Sequence, residues 1–209
     1  MDEYRLPMFP LGTPLVPGSL LPLQIFEPRY QQMISDVLAL SVPEFGGVLI
    51  ERGHEVGGGD IRSMAGTVAR IVEAQTATDG RRMVLALGTR RMRIGEWLPD
   101  DPYPVAMVSD WPDHESGWVD PAEVSRLFGK VVEVSSLFEQ LGGPAPRLLD
   151  IEISDDPSFA TFQLVALAPI GSADRQRLLV CDGPVQRLEL LESALSDVEA
   201  ACRFRLQSE

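Results

Sequence analysis

The first half of the chain carries short apolar runs separated by turn residues, which is the pattern of a β-sheet. Asp79-Gly80 lies between two such runs and predicts a hairpin, and Gly88 predicts a bulge or bend. One helix is predicted after Pro28, where apolar residues recur every three or four positions. The predicted strands are Leu6–Leu11, Leu20–Phe26, Phe45–Glu51, Met64–Gln75, Arg82–Leu87, Arg91–Ile94 and Val105–Trp111.

The second half changes to the periodicity of amphipathic helices. The predicted helix starts are Asp120-Pro121, Asp156-Pro157, Ser172 and Gly183-Pro184. An aspartate accepts from free helical N–H groups and proline suits the first helical position, while Gly142-Gly143 ends the first of these helices. Strands therefore precede helices, which predicts an α+β fold with a β subdomain at residues 1–113 and a helical subdomain at residues 114–209.

Composition and charge argue against several classes of function. The 209 residues carry a net charge of −13, which repels polyphosphates and argues against general nucleic-acid or anionic-membrane binding. No run of about 18 apolar residues is present and the acidic N-terminus lacks the features of a signal peptide, so we expect a cytoplasmic protein. Cys181, Cys202, His54 and His114 are scattered, so we expect no metal and no cofactor. One hypothesis left open is a hydrolase in which either cysteine acts beside a histidine.

The stretch from Leu6 to Tyr30 carries the most specific motif. It reads L-P-M-F-P-L, then a Pro17-Gly18 turn, then L-P-L-Q-I-F-E-P-R-Y. This order resembles the opening of the Lon protease N-terminal domain, in which histidine usually stands at the position of Gln24. The weaker matches that follow in the same order are Gly66–Ile71, Asp79–Arg81, Gly88–Ile94 and Tyr103–Ala106. The resemblance then extends through the helical half.

This resemblance implies a pseudobarrel similar to the PUA domain, followed by a helical bundle. In full-length Lon proteases the region helps to recognise protein substrates and precedes an ATPase and a peptidase. Neither is found in this sequence: the sole lysine, Lys130, lies in a predicted helix without the hydroxyl residue of a phosphate-binding loop. We therefore expect a stand-alone, non-catalytic module that binds unfolded or client polypeptides, with a protease or a chaperone as the candidate recipient of those clients.

Several residues are candidates for the client-binding surface. The apolar candidates for a groove near the junction of the two halves are Phe9, Phe26, Met33 and Trp111. Each also fits a packed core, in which case Phe26→Ser should unfold the protein. A strand added to an open sheet edge is a second mode of binding. Glu27 and Arg29 flank Pro28, and two roles are open for them. They could bind a partner, or they could be structural, with Glu27 stabilising the helix start and Arg29 paired with a carboxylate.

Arginines cluster on two neighbouring predicted strands. They are Arg81, Arg82, Arg90, Arg91 and Arg93. With Met92 and Ile94 inward, Arg91 and Arg93 are expected to point outward. The acids able to neutralise the cluster are Glu73, Asp79 and Glu96, which favours a solvated, ion-paired sheet face. The alternative function is an RNA-binding regulator that uses this Arg81–Arg93 cluster, although no interleaving of basic and aromatic residues supports base stacking.

Overall fold

The structure is a computed structural model, which describes residues 3–52, 61–78, 80–114, 119–144 and 152–208. The chain divides into two compact units, Met1–Pro112 and Asp113–Glu209, whereas the sequence analysis placed the division after residue 113. In the described ranges, the first unit holds a six-stranded mixed sheet with one helix and the second holds four helices. Strands precede helices, as the α+β prediction requires.

The six strands of the first unit form one sheet that closes on itself. The elements are β1 (Tyr4–Leu11), β2 (Leu20–Ile25), α1 (Pro28–Leu38), β3 (Glu44–Arg52), β4 (Ile61–Thr76), β5 (Arg82–Leu98) and β6 (Val105–Asp110). The strand order is β2-β5-β4-β3-β1-β6, and β6 also pairs with β5. Five strands therefore make a ring, and β2 extends the sheet along the first half of β5. β1 and β3 pair in parallel, whereas the other described pairings are antiparallel.

β5 joins two segments that the sequence analysis predicted as separate strands. It runs without interruption over Arg82–Leu98, and the register with β4 shifts just after Gly88. Thr89 is the extra residue there, and its hydroxyl donates to the carbonyl of Val68 at 2.9 Å. The bulge predicted at Gly88 is confirmed. A bulge bends its strand, and the two halves of β5 pair with different strands, β2 and β6.

Apolar side chains form two clusters in the first unit. Inside the ring lie Leu6, Met8, Val48, Val68, Met92, Ile94, Ala106 and Val108. The second cluster gathers the buried face of α1, which consists of Tyr30, Met33, Ile34 and Val37. These four residues recur at helical spacing, so they fall on one side of the helix. They pack with Ile25, Val84 and Ala86, so one side of the β2–β5 pair is covered.

The second unit consists of helices whose starts follow the predicted motifs. Its described helices are α2 (Pro121–Gln140), α3 (Pro157–Leu167), α4 (Ser172–Val180) and α5 (Pro184–Ser208). Asp120 accepts from the N–H of Ala122 at 2.9 Å, and Asp156 accepts from the N–H of Phe159 at 2.7 Å. Beyond α2, Gly142 has a φ of +81°, which glycine adopts without strain. α5 packs against the other three helices. In the described ranges, no helix combines the length and the apolarity needed to span a bilayer.

Candidate functional site

β2 carries apolar side chains on both of its faces, and Gln24 is the polar residue of the outer face. Leu21, Leu23 and Ile25 pack into the cluster beneath α1, because alternate side chains of a strand point to the same side. Leu20 and Pro22 alternate with them and are exposed, and 62% of Leu20 is accessible to solvent. The strand therefore presents apolar side chains to the outside as well as to the core.

β5 continues this outward apolar surface. Pro22 lies opposite Leu85, and Gln24 lies opposite Met83, which is 42% exposed. Directly opposite residues of paired strands point to the same side of the sheet. These side chains line a shallow depression of about 440 Å³. The polar residues that line the same depression are Gln24, Glu73 and Gln75.

Phe26 extends the outward series at the end of β2. It is 59% exposed and therefore does not belong to a packed core. Unfolding of Phe26→Ser was predicted only for a core position, and an exposed position removes the reason for it. We name the set Leu20, Pro22, Phe26, Met83 and Leu85 the outer β2 face. Its exposed apolar side chains lie on two adjacent strands, which makes it a candidate surface for apolar ligands.

β2 is also an edge strand. Among the strands that the structure describes, it alone pairs with a single neighbour, β5. Unpaired backbone groups at such an edge can accept a further strand. Pro22 lies in the middle of β2 and has no N–H to donate, which interrupts a continuous ladder. The edge therefore favours side-chain contacts over the addition of a full-length strand.

Two of the predicted groove residues belong to the core instead. Met33 is fully buried on the inner side of α1. Phe9 is half-buried, and its ring lies 4.4 Å from that of Tyr30 and 6.3 Å from that of Phe45, measured between ring centres. The periodicity of α1 and the alternation of β1 direct both side chains toward the α1 cluster.

Trp111 lies among arginines. Its backbone N–H donates to the carbonyl of Arg91 at 2.9 Å, and the Nε of Arg91 donates to the Trp111 carbonyl at 2.8 Å. The guanidinium carbons of Arg91 and Arg93 lie 4.2 Å and 3.9 Å from the indole centre. Such cation–π contacts stabilise both partners. Glu51, Arg62 and Arg93 line the same depression as Trp111, so its surroundings are charged, unlike the apolar groove wall predicted for it.

Glu27 and Arg29 hold the turn between β2 and α1. The Nε of Arg29 donates to Glu27 at 3.0 Å, and the Arg29 guanidinium lies over the ring of Tyr30. The Glu27 carbonyl accepts from the N–H groups of Tyr30 and Gln31, which starts the helix with Pro28 at its first position. These contacts are local and match the structural interpretation of the pair. Binding of a partner by Glu27 and Arg29 stays a prediction.

Arg90 connects four strands through ion pairs and hydrogen bonds. Its Nη2 lies 3.0 Å from Glu44 of β3, and its Nε lies 2.9 Å from Asp110 of β6. The same Nη2 donates to the phenol of Tyr4 in β1, which in turn donates to Asp110 at 2.6 Å. Arg70 of β4 adds a second ion pair to Glu44 at 2.9 Å. The charge of this arginine is therefore matched by acids within the sheet.

Burial and hydrogen bonding within the network shift the pKa values of Tyr4 and Glu44. Burial raises the pKa of the Tyr4 phenol to about 12, and the hydrogen bond to Asp110 acts in the same direction. Burial alone would raise the pKa of the Glu44 carboxyl, but hydrogen bonds from Arg90 and Arg70 outweigh it and the pKa is lowered. Glu44 therefore stays ionised to a lower pH than an ordinary glutamate.

The remaining arginines of the cluster differ in exposure. Arg91 is 3% exposed, so the expectation that it points outward is wrong, whereas Arg93 is exposed as predicted. Arg82 donates to the Ser35 hydroxyl at 2.7 Å. Glu44 and Asp110 form the ion pairs of Arg90. The acids predicted to neutralise the cluster were Glu73, Glu96 and Asp79, of which Asp79 lies outside the described residues. The cluster therefore combines arginines held in structural contacts, such as Arg90 and Arg91, with the exposed Arg81 and Arg93, the latter stacked on Trp111.

The candidate nucleophiles lie in the helical unit. Cys181 and Cys202 are buried free thiols, and His54 lies outside the described residues. The Nζ of Lys130 donates to the Ser196 hydroxyl at 2.7 Å on the exposed surface of α2 and α5. The Ser196 hydroxyl donates in turn to the Glu192 carbonyl of its own helix at 2.8 Å. Within the described ranges, no group of three or more metal-ligating side chains was found.

Of the outer β2 face, only Phe26 was among the binding residues predicted from the sequence. The apolar run Leu20–Phe26 was predicted as a strand, without an assignment of either of its faces to the surface. A run that is apolar on both faces and carries a central proline is, however, typical of an edge strand with a second apolar surface. That combination was the available signal for Leu20 and Pro22. The contribution of Met83 depends on the pairing of β2 with β5, which the sequence does not show.

Comparison with known proteins links the chain to one family. A family model described as the ATP-dependent protease La (LON) substrate-binding domain matches residues 5–197. Lon protease 2 of Herpetosiphon aurantiacus is 28% identical over 196 residues, which are 92% of this chain and 24% of that protein. The chain thus spans about a quarter of the length of the curated relatives it matches.

Two solved structures have a similar fold. The Lon N-terminal domain protein from Xanthomonas campestris has a TM-score of 0.65 and 26% identity, and the match covers 91% of this chain and 98% of that one. The N-terminal domain of the Mycobacterium avium complex Lon protease has a TM-score of 0.64 and 18% identity, with 93% and 99% covered. The mixed sheet and the five described helices therefore form a Lon N-terminal domain fold.

Proposed function

The chain belongs to the family of Lon substrate-binding domains, and from this premise we propose that it binds exposed apolar segments of client polypeptides on its outer β2 face. The observation that carries the proposal is the double-sided apolar character of β2, whose outward side chains Leu20 and Pro22 adjoin Met83 and Leu85 of β5. Unfolded or partly folded clients expose such apolar segments, and native proteins rarely do.

The outer β2 face provides both area and shape for this role. Leu20, Phe26 and Met83 are each at least 42% exposed, so a client that covers them removes apolar surface from water. Burial of that kind contributes about 25 cal/mol per Å². The depression lined by Pro22 and Leu85, about 440 Å³, is within the size range of ligand pockets. Individual client side chains fit this space, and a folded domain does not.

The exposed edge of β2 favours recognition of clients through their side chains and not through backbone hydrogen bonds. Because Pro22 cannot donate, an added client strand loses a hydrogen bond in the middle of β2. Apolar contacts tolerate many sequences, as a substrate-recognition module needs, since they require no matched hydrogen-bond pattern. A short client strand could still pair with the edge of β2, but we propose side-chain contacts as the main mode of binding.

The proposal describes a non-catalytic module. No observation favours the RNA-binding alternative: Arg90 is matched by acids, Arg91 is buried, and the chain carries a net charge of −13. We also propose that the fold is a PUA-like pseudobarrel ahead of a helical bundle, which the ring of five strands supports. Presentation of clients to a protease in the cytoplasm is also part of the proposal, since its relatives are Lon proteases.

The test is a binding titration with a fluorescently labelled, reduced and carboxymethylated lactalbumin, which stays unfolded. We expect saturable binding that Met83→Asp weakens by about tenfold, a change of ~1.4 kcal/mol. The matched control is Val132→Asp in α2, because Val132 is 39% exposed and Met83 is 42% exposed. Absence of saturable binding, or equal affinity of Met83→Asp and the parent, contradicts the proposal.

A further inference from the structure

The helical unit contains a cavity that the proposed client binding does not use. Its volume is about 700 Å³, which is within the range of small-molecule sites. The cavity lies among the C-terminal end of α2, the segment from α3 to α4, and α5. Its principal apolar residues are Phe138, Leu141, Leu167, Ile170, Val198 and Cys202.

The charged side chains that line this cavity are both cationic. Arg175 of α4 and Arg205 of α5 line it, and no acid does so among the described residues. This is unusual in a chain with a net charge of −13. The local charge is therefore opposite to that of the whole protein, and it complements an anionic ligand.

Arg175 is held in place by neutral partners. Its Nη1 donates to the carbonyls of Val165 and Ala166 at 3.0 Å and 3.3 Å, and its Nη2 donates to the carbonyl of Ala168 at 2.7 Å. Burial lowers the pKa of this guanidinium, because its charged form has lost water. In the described part of the chain it has no carboxylate partner, in contrast to the buried Arg187, which pairs with Asp113. An anion in the cavity would supply the missing counter-charge.

The lining also indicates the form of the rest of the ligand. A bound peptide brings N–H and C=O groups, and each costs free energy when it is buried without a partner. The carbonyls at the end of α3 that could accept from a peptide are occupied by Arg175. An acyl chain brings no polar groups along its length, so it matches the apolar walls formed by residues such as Leu167 and Val198.

We propose that this cavity binds a fatty-acid-type ligand, with its acyl chain between α2, α3 and α5 and its carboxylate beside Arg175 and Arg205. The site is independent of the outer β2 face, because all of its lining residues belong to the helical unit. Failure of one proposal therefore leaves the other standing. The ligand chemistry is a single apolar chain with one anionic end.

The experiment titrates the protein with 11-(dansylamino)undecanoic acid, a fluorescent acyl carboxylate, and then competes it with dodecanoate or dodecanol. We expect one saturable site, from which dodecanoate displaces the probe at a concentration about tenfold lower than the uncharged alcohol, a difference of ~1.4 kcal/mol. Arg205→Glu should weaken probe binding to a similar extent. Val198→Trp should abolish probe binding by filling the cavity, with the far-UV circular dichroism unchanged.

The matched control is Arg203→Glu, which makes the same charge change on the same helix at a residue that does not line the cavity. It should bind the probe as the parent does. Equal competition by dodecanol and dodecanoate, or equal weakening by Arg203→Glu and Arg205→Glu, overturns the assignment of the anionic end. A parent protein without a saturable site, or full binding by a folded Val198→Trp protein, overturns the cavity itself.

Discussion

The Nη2 of Arg187 lies 2.6 Å from the Oδ1 of Asp113, and the exposed fractions of the two side chains are 0% and 7%. The Nη1 of Arg187 also donates to the Thr161 hydroxyl at 2.7 Å, and the guanidinium lies over the ring of Phe162. A buried guanidinium is tolerated only when its charge and its donors are matched. Asp113, the first residue of the helical unit, is therefore joined to α5 by a fully satisfied ion pair.

The first prediction concerns the cost of breaking this pair. Arg187→Met should destabilise the helical unit by about 3–5 kcal/mol, because the buried Asp113 carboxylate loses the guanidinium that balances its charge. Urea unfolding followed by far-UV circular dichroism measures the change. The control is Arg203→Met, which removes an exposed arginine that pairs with Glu133 and Glu199 and should cost at most about 1 kcal/mol. Equal costs for the two variants would show that the buried pair has no special role.

The second prediction separates a surface phenylalanine from a core phenylalanine. Phe26→Ser should leave the free energy of unfolding within about 1 kcal/mol of the parent, since surface substitutions are usually mild. Phe45 is fully buried, and Phe45→Ser should cost at least about 3 kcal/mol through the cavity it creates. Urea unfolding of the two variants side by side gives the comparison. A Phe26→Ser protein that is unfolded in buffer would contradict the exposed position of this residue.

The third prediction follows from the lowered pKa of Glu44. A carboxyl with a lowered folded-state pKa stabilises the fold above its ordinary pKa, and this contribution is lost as the pH falls through the folded-state value. The ordinary value is 4.5. Glu44→Gln should therefore be less stable than the parent at neutral pH, and the difference should shrink below pH 4.5. Urea unfolding across this pH series tests it, and a difference that is independent of pH would refute the ion-pair account.

The fourth prediction concerns the arginines of β5. Arg93→Glu should fold normally, because its guanidinium is exposed and loses mainly its contact with Trp111. Arg91→Glu should be destabilised, because it places an acid at a position that is 3% exposed. Neither protein should differ from the parent in an RNA gel-shift at low salt, where we expect no binding. Salt-sensitive RNA binding that Arg93→Glu abolishes would revive the RNA-binding alternative.

Much of the fold could be predicted because its signals are local in sequence. The Leu6–Tyr30 stretch combines apolar runs with prolines at turn and helix-start positions, and these became β1, β2 and α1. The Asp-Pro motifs at Asp120 and Asp156 likewise act within their own first turns. Such preferences depend on neighbouring residues only, so a single sequence is enough to identify them.

The candidate site was harder to predict because it depends on pairing. Which face of β2 is exposed follows from where α1 packs and from the register with β5. Met33 was predicted to line a binding groove but is fully buried, whereas Met83, which was not predicted, is exposed to solvent. The partners of Arg90 are 46 and 20 residues away in sequence, at Glu44 and Asp110. Contacts between residues so far apart in sequence produce no periodic pattern from which they could be predicted.

The most direct test of the account is site-specific photo-crosslinking to unfolded lactalbumin. A photoreactive phenylalanine analogue is placed at Leu20 of the outer β2 face or at Phe204 of α5, which are 62% and 72% exposed. The account predicts a crosslinked product from position 20 that excess unlabelled client suppresses, and little product from position 204. Equal crosslinking at both positions, or crosslinking at position 204 alone, would contradict the claim that clients bind to the outer β2 face.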